Sequence, residues 1–542
     1  MFIRENKFFT AALVALIIFG ALTFGNMPGP ATQTGVVSVD GTVYNFSDYP
    51  ALTQEQLGIF NYLDGLVTGQ PYGSWEGWYA ESFPSLLHYV LAFIMYATSL
   101  IFETTPGYRT THYQDFSWSL LQKMNTSYDE YNITSIEYTE WINTPFPDYY
   151  YDADDPYNAS NTDAVYTGGF RGPANIMWTG HYGLMEALHE RNFNTGAAFE
   201  ELSWFIRDWN NTLTTDGKGN QKDGGLWGIG LIPCEPYIAF VNCNSIPMFA
   251  TYLYDNMYGT DYKGVWDFGL NFSNVVAQDE YGLFTDGYYV QQPLGYQQLP
   301  DGPQQPFPGN SIDRSVSGGP VRVSGYITAW ALTFLEYIQP QETTNDYPLF
   351  LDVYGRDVSG DKFVVVENHR HPNAFGTFDI LATLFTLPLS NQRGDLVTNQ
   401  RIRNFIHGVF DKVWSSDGRA MWFDTMSLVP FLQAPLSTAW VWGTTPTYIR
   451  DFAEARPAAF WDQPYISAAD DDRIWVYQAA WDEDKGAFIL NIRVDQAASL
   501  TFSNFDSAPT AHVAGGSLGE LTEAGPDYTL SLEPGLYQIV LR

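Results

Sequence analysis

The chain has 542 residues, 45% hydrophobic and 17% aromatic, enough to bury at least one large core. Its formal net charge is −35, which rules against a nucleic-acid partner or an anionic membrane surface as its target. Lysine is the scarce residue, limited to Lys7, Lys123, Lys218, Lys222, Lys263, Lys362, Lys412 and Lys485, and such an acidic, lysine-poor surface suits a halophilic setting where salt screens self-repulsion.

The N-terminus opens with Arg4 and Lys7. An apolar run from Phe8 to Phe24 follows, then Gly25-Asn26-Met27-Pro28-Gly29-Pro30. That is a secretory pattern, so residues 1–30 are expected to be a signal peptide or an N-terminal membrane anchor. The run is at the short edge of what spans a bilayer, and no clean Ala-x-Ala site follows it. Cleavage and a retained single transmembrane helix both stay open. Either places the rest of the chain outside the cytoplasm, secreted or anchored to the outer face of the cytoplasmic membrane. Asn-x-Ser/Thr sequons at Asn45, Asn125, Asn132, Asn158, Asn210 and Asn271 fit an exported glycoprotein.

After a polar linker, apolar residues recur at helical spacing to about residue 455. Expected helices are Thr53–Gly65, Pro84–Phe102, Tyr113–Met124, Ala174–Arg191, Gly196–Thr212, Ser245–Met257, Asp261–Asn274, Gly325–Ile338, Phe375–Leu387, Leu396–Trp414 and Thr438–Ala453. Long Gly-, Pro-, Asp- and Asn-rich loops join them, notably 148–169 and 291–319. Many antiparallel helices with long connections suggest a mainly α protein whose residues 31–460 form an α/α toroid, although helix count alone does not separate that from a solenoid. From about residue 473 the pattern changes to short β-rich pieces at 473–477, 487–494, 499–502, 528–532 and 535–541. Residues 465–542 are therefore expected to be a small antiparallel β-sandwich that braces the helices. Glycan or surface attachment is its other reading.

Only two cysteines occur, Cys234 and Cys243, within Ile232-Pro233-Cys234-Glu235-Pro236-Tyr237-Ile238-Ala239-Phe240-Val241-Asn242-Cys243-Asn244-Ser245. In an exported chain a lone pair reads first as a disulfide. The alternative is a reactive pair: Glu235 is an adjacent carboxylate, and Cys243 precedes an expected helix whose dipole would favour a thiolate. A second cluster, Asn175-Ile176-Met177-Trp178-Thr179-Gly180-His181, sets a histidine on an apolar helix. A third, Asn61-Tyr62-Leu63-Asp64, sets an acid on a helix expected to face the core. Taken singly, His181 reads as a satisfied core histidine and Asp64 as a surface carboxylate at a helix end.

In this order the three clusters resemble the linalool dehydratase/isomerase family. Supporting stretches are Leu253-Tyr254-Asp255, Gly259-Thr260-Asp261-Tyr262 and Tyr326-Ile327-Thr328-Ala329-Trp330. The resemblance covers about residues 50–455 and leaves out the signal segment, the loop 148–169 and the β-rich tail. It implies an (α/α)6 barrel that dehydrates or isomerises a small-molecule alkenol, an allylic and terpenoid alcohol, with no metal and no organic cofactor. It assigns catalytic roles to Asp64, His181, Cys234 and Cys243. It places Tyr89, Met177 and Glu235 in the substrate pocket, with Tyr72 as a loosely aligned tyrosine that a neighbouring subunit of a homo-oligomer contributes. In that chemistry an acid protonates the leaving hydroxyl, a base takes a proton from the next carbon, and aromatic walls exclude water and favour the allylic cation.

Two rival functions remain in the sequence. A helical toroid followed by a β-sandwich also suits a secreted polysaccharide lyase or glycoside hydrolase. There His181 with Tyr182 or Tyr89 would act as acid and base. A non-catalytic cell-surface protein would keep the shape alone and hold a Cys234–Cys243 disulfide. His369-Arg370-His371 has metal-like spacing but no third ligand. The acidic loop Tyr149–Asp155 reads as a solvated turn. No phosphate loop, dinucleotide fingerprint or Gly-x-Ser-x-Gly elbow is present.

Overall fold

A computed structural model describes residues 35–71, 74–79, 87–131, 176–216, 220–234, 238–278, 281–284, 287–289, 324–367, 377–427, 429–446 and 453–542. The apolar N-terminal run, Tyr72, the 148–169 loop, Glu235 and the His369–His371 motif lie outside the described residues.

Most helices fall near the expected spans, but those at Pro340–Tyr354 and Ala458–Asp462 were not expected, and the one expected at Thr438–Ala453 runs Gln433–Thr444 instead. The helices are α1 (Gln54–Val67), α2 (Leu87–Thr104), α3 (Thr111–Tyr131), α4 (Ile176–Phe193), α5 (Phe199–Thr214), α6 (Val241–Tyr258), α7 (Asp267–Val275), α8 (Gly325–Leu335), α9 (Pro340–Tyr354), α10 (Thr377–Gln392), α11 (Leu396–Val409), α12 (Gln433–Thr444) and α13 (Ala458–Asp462). Local chemistry sets their ends. Thr53 and Gln56 form a reciprocal capping box at the start of α1, and Gly259 closes α6 in the left-handed conformation at φ 67°. Helix α2, apolar along its length, is packed on α4 and α12 and is mostly buried. It is a core helix that also happens to be long enough to cross a membrane.

The expected (α/α)6 barrel with a C-terminal β-sandwich is corrected on two counts. The described residues are about 50% helix in 13 helices and about 22% strand in small sheets, with no closed barrel and no clear sandwich. One reason is that hairpins interrupt the helices. Strands β5 (Gly355–Ser359) and β6 (Lys362–Val365) pair, as do β7 (Asp411–Trp414) and β8 (Met421–Asp424), while the short β3 (Ile238–Ala239) and β4 (Tyr288–Tyr289) pair across the chain. Helix α11 therefore stops at Val409, and the stretch expected to continue it to Trp414 is strand, because Phe410 is already extended at φ −122° and ψ 131°.

The other reason lies in the C-terminal sheets. One has five strands in the order β10 (Ile474–Asp482), β11 (Ala487–Val494), β17 (Gly535–Leu541), β13 (Thr510–Val513) and β14 (Gly516–Glu520). The other has four, in the order β15 (Thr522–Ala524), β16 (Asp527–Leu532), β12 (Ala498–Ser503) and β9 (Tyr465–Ala469). Alternate residues of β11 point to opposite faces. Phe488, Leu490 and Ile492 join one apolar core that runs on into the helices. Ala487 and Ile489, with Val540, are covered instead by the N-terminal hairpin of β1 (Val36–Val39) and β2 (Thr42–Asn45), through Val37, Val39, Tyr44 and Phe46. The five-stranded sheet is thus roofed by the far end of the chain. Gln478 Nε2 fixes that roof by donating to the Phe46 and Tyr49 carbonyls at 2.8 Å each.

Candidate functional site

Helix α4 carries the centre. Its first residue is fixed by Ile176 N donating to the Pro233 carbonyl at 3.2 Å, so the residue preceding Cys234 is pinned to the start of α4. Asn244 ties the same segment to α6. Its Oδ1 accepts from Ile232 N at 2.8 Å, and its Nδ2 donates to the Ile232 carbonyl at 2.9 Å. These bonds set Cys234 beside the N-terminal ends of both helices. Helix α6 begins at Val241, earlier than expected, so Cys243 lies within its first turn rather than ahead of it. Both thiols are buried, at 2% and 5% exposure, and are not joined in a disulfide.

Met177 and His181 stand four residues apart on α4 and so share one face. That face meets α2. Met177 Sδ lies 3.2 Å from His88 Nε2, and His181 Nδ1 lies 2.7 Å from the Tyr96 hydroxyl. His181 has no exposed surface. Burial, and then the neighbouring His88, pushes its pKa well below the usual histidine range, so its imidazole is neutral. Burial pushes the Tyr96 hydroxyl well above its usual value, so it keeps its proton. That proton goes to His181 Nδ1, since placing the imidazole N–H at Nδ1 would leave the tyrosine hydrogen with no acceptor among the described residues. The histidine proton is therefore on Nε2. That atom is buried and has no hydrogen-bond partner among the described residues.

Aromatic rings enclose this imidazole. Tyr89 and Phe93 from α2 stand edge-on to it, at 5.3 and 5.7 Å between ring centres, and Trp330 from α8 lies at 5.5 Å. Phe385 of α10 backs Trp330, and Trp442 of α12 packs on Tyr96 and Phe93. Of the residues singled out by sequence, His181, Tyr89 and Met177 are thus neighbours, and the two cysteines sit by the N-terminal ends of α4 and α6.

Asp64 has its own partners. Its Oδ2 pairs with His112 Nε2 at 3.3 Å and its Oδ1 accepts from the Thr68 hydroxyl at 2.6 Å. Both Asp64 and His112 line an open cleft of about 660 Å³ with Asn61, Asp417, Arg419 and Asp470–Asp472. Among the described residues, the groups around Asp64 and the rings around His181 have none in common. No group of three histidine, cysteine or carboxylate side chains among them is disposed to hold a metal ion.

Sequence reading missed His88, Phe93 and Tyr96. The signal was there. Counted from Tyr89, Phe93 and Tyr96 fall at i+4 and i+7, one face of an expected helix. No family model matches the chain.

Proposed function

We propose that the protein is a cofactor-free alkenol dehydratase/isomerase, a carbon–oxygen lyase acting on a small allylic alcohol in the manner of the linalool dehydratase/isomerase family. The observation that carries this reading is His181, a neutral, fully buried imidazole whose tautomer Tyr96 sets and whose Nε2–H is left unspent inside an aromatic enclosure. A substrate hydroxyl is the kind of acceptor that donor needs. The N–H holds and polarises the oxygen but is too weak an acid to give up its proton.

That proton comes from a thiol. One sulfur of the Cys234–Cys243 pair protonates the hydroxyl, and the C–O electron pair leaves with water. The allylic cation then loses a proton from the neighbouring carbon back to the cysteine pair, which ends with the protons it started with. Aromatic faces favour the cation and keep water from recapturing it. Burial of both sulfurs keeps external oxidants from them, which suits reduced thiols in an exported protein. Asp64, held by His112, is given no part in this step.

The test is dehydration of a panel of tertiary allylic alcohols, including dimethylvinylcarbinol, with isoprene measured in the headspace. Wild type should turn over at least one of them. Cys234→Ala, Cys243→Ala and His181→Gln should each lose about a hundredfold or more. Equal turnover in wild type and Cys234→Ala removes the mechanism.

The open cleft favours the sugar-cleaving alternative, with the reacting pair moved from His181 to His112 and Asp64. A polymer cannot reach a sealed imidazole, whereas this cleft is polar and accessible. Release of unsaturated product from a uronic-acid polymer, lost in His112→Gln, would support that reading over the first.

A further inference from the structure

We infer that Trp330 is a specificity-determining residue, whose indole N–H donates a hydrogen bond to the same ligand oxygen that His181 holds. This rests on the alkenol reading of the site and deepens it. Buried polar groups nearly always find a partner, and one that has none needs a reason. Trp330 is 6% exposed, and its Nε1 has no partner among the described residues. His181 Nε2 is in the same position, and the two ring centres are 5.5 Å apart. Two N–H donors on neighbouring rings, both buried and both without a partner among the described residues, fit one acceptor atom that arrives with a ligand.

The ring is also fixed. Trp330 stacks on Phe385 at 4.8 Å and 17°, and it meets Phe93 edge-on at 5.4 Å. The donor cannot swing away to find another acceptor. Trp209 is likewise a buried indole without an acceptor among the described residues, but its neighbours Phe205 and Trp266 bring no second unspent donor beside it. The pairing with His181 is what singles out Trp330.

The ligand class follows. A hydrocarbon would leave both donors orphaned, and a site built to hydrogen-bond an oxygen rejects the analogue that lacks it. The experiment compares dimethylvinylcarbinol with tert-butylethylene, in which a methyl replaces the hydroxyl, by ligand-observed NMR titration of the full chain. Wild type should bind the carbinol about tenfold more tightly or better. Trp330→Phe keeps an aromatic ring without the N–H. It should lose most of that preference while its affinity for the hydrocarbon stays within about twofold. Benzothienylalanine at position 330, where sulfur takes the place of N–H, should behave as Trp330→Phe does, and it guards against misfolding in the phenylalanine variant.

The inference is overturned if the preference is unchanged in both variants, or if wild type binds the two probes alike or neither. Turnover separates this from the function itself. A wild type that discriminates but makes no isoprene sinks the dehydratase reading and leaves Trp330 its role. A wild type that makes isoprene while both variants discriminate unchanged does the reverse.

Discussion

At His181 a single hydrogen bond decides what the residue can do. With Tyr96 donating to Nδ1, the imidazole presents a donor; without it, either nitrogen can carry the proton. Tyr96→Phe should therefore lower kcat by about ten- to a hundredfold while KM moves much less, because the tautomer mix affects the polarised state more than packing. Steady-state kinetics on the best alcohol of the panel checks this, and an unchanged kcat would reduce Tyr96 to packing. The pH profile gives an independent reading. Burial and His88 hold His181 neutral well below the usual histidine range. Activity should then show no acid limb centred near 6.5, the ordinary histidine value. A midpoint there would assign the essential base to a more ordinary histidine.

Among the elements, the contact that seats α4 against α6 is made by a glycine. A Cβ on Gly180 would lie 2.9 Å from Pro247 Cδ, and a proline ring held inside a helix has little room to give. Gly180→Ala should cost about 1–3 kcal/mol in denaturant unfolding, even though alanine is the better helix former. Gly65, exposed on α1 with nothing within 4 Å, is the control. Gly65→Ala should gain about 0.5–1 kcal/mol. The opposite signs would separate propensity from packing; equal signs would mean that α4 and α6 are not in close contact at Pro247. Element by element, much was legible in advance. The helices at 54–67, 87–104, 176–193, 199–214 and 241–258 were expected within a few residues, since strong apolar periodicity marks each. Helix α9 was not among the expected helices; it carries Pro340 in its first turn, where proline is tolerated, and Pro348 inside it, where proline normally breaks a helix. In the site, the histidine and cysteine motifs could be read from sequence. The pairing of Asp64 with His112 could not, because a helix pattern shows which face is buried but not which neighbour it is buried against.

For the molecule as a whole, the join between the helices and the C-terminal strands is where pH should act. Backbone bonds stitch it, with Leu52 N donating to Tyr477 and Gly107 N to Ala479, at 2.9 and 2.8 Å. Around them sits a charged cluster. His112 on α3 faces Asp64 of α1, Asp471 ahead of β10, and Asp115 on its own helix; Tyr108 donates to Asp471. Arg419 crosses the same seam, donating to the Asp471 and Ile474 carbonyls at 3.0 Å each. The hydrogen bond to Asp64, with the charges of Asp64, Asp471 and Asp115, raises the His112 pKa against the opposing pull of burial. The folded chain therefore holds this proton more tightly than the unfolded one. Its stabilisation is complete below the unfolded value of about 6.5 and is lost as pH rises through the higher folded value. Burial raises Asp471 as well, more than Tyr108 and His112 lower it. It contributes in the same direction in the acid range, because the folded carboxyl also keeps its proton longer. The melting temperature should fall as pH climbs from about 6 into the mildly alkaline range, and His112→Gln should flatten that limb while sparing the lower one. In the variant the loss should be greatest at the acid end of the limb, where wild-type His112 is fully charged, and should vanish at the alkaline end. Melting curves across pH, at fixed ionic strength because a −35 chain also responds to salt, make the comparison. A limb of the same depth in both proteins would mean that the seam is held by its backbone bonds and Arg419, with the imidazolium a bystander.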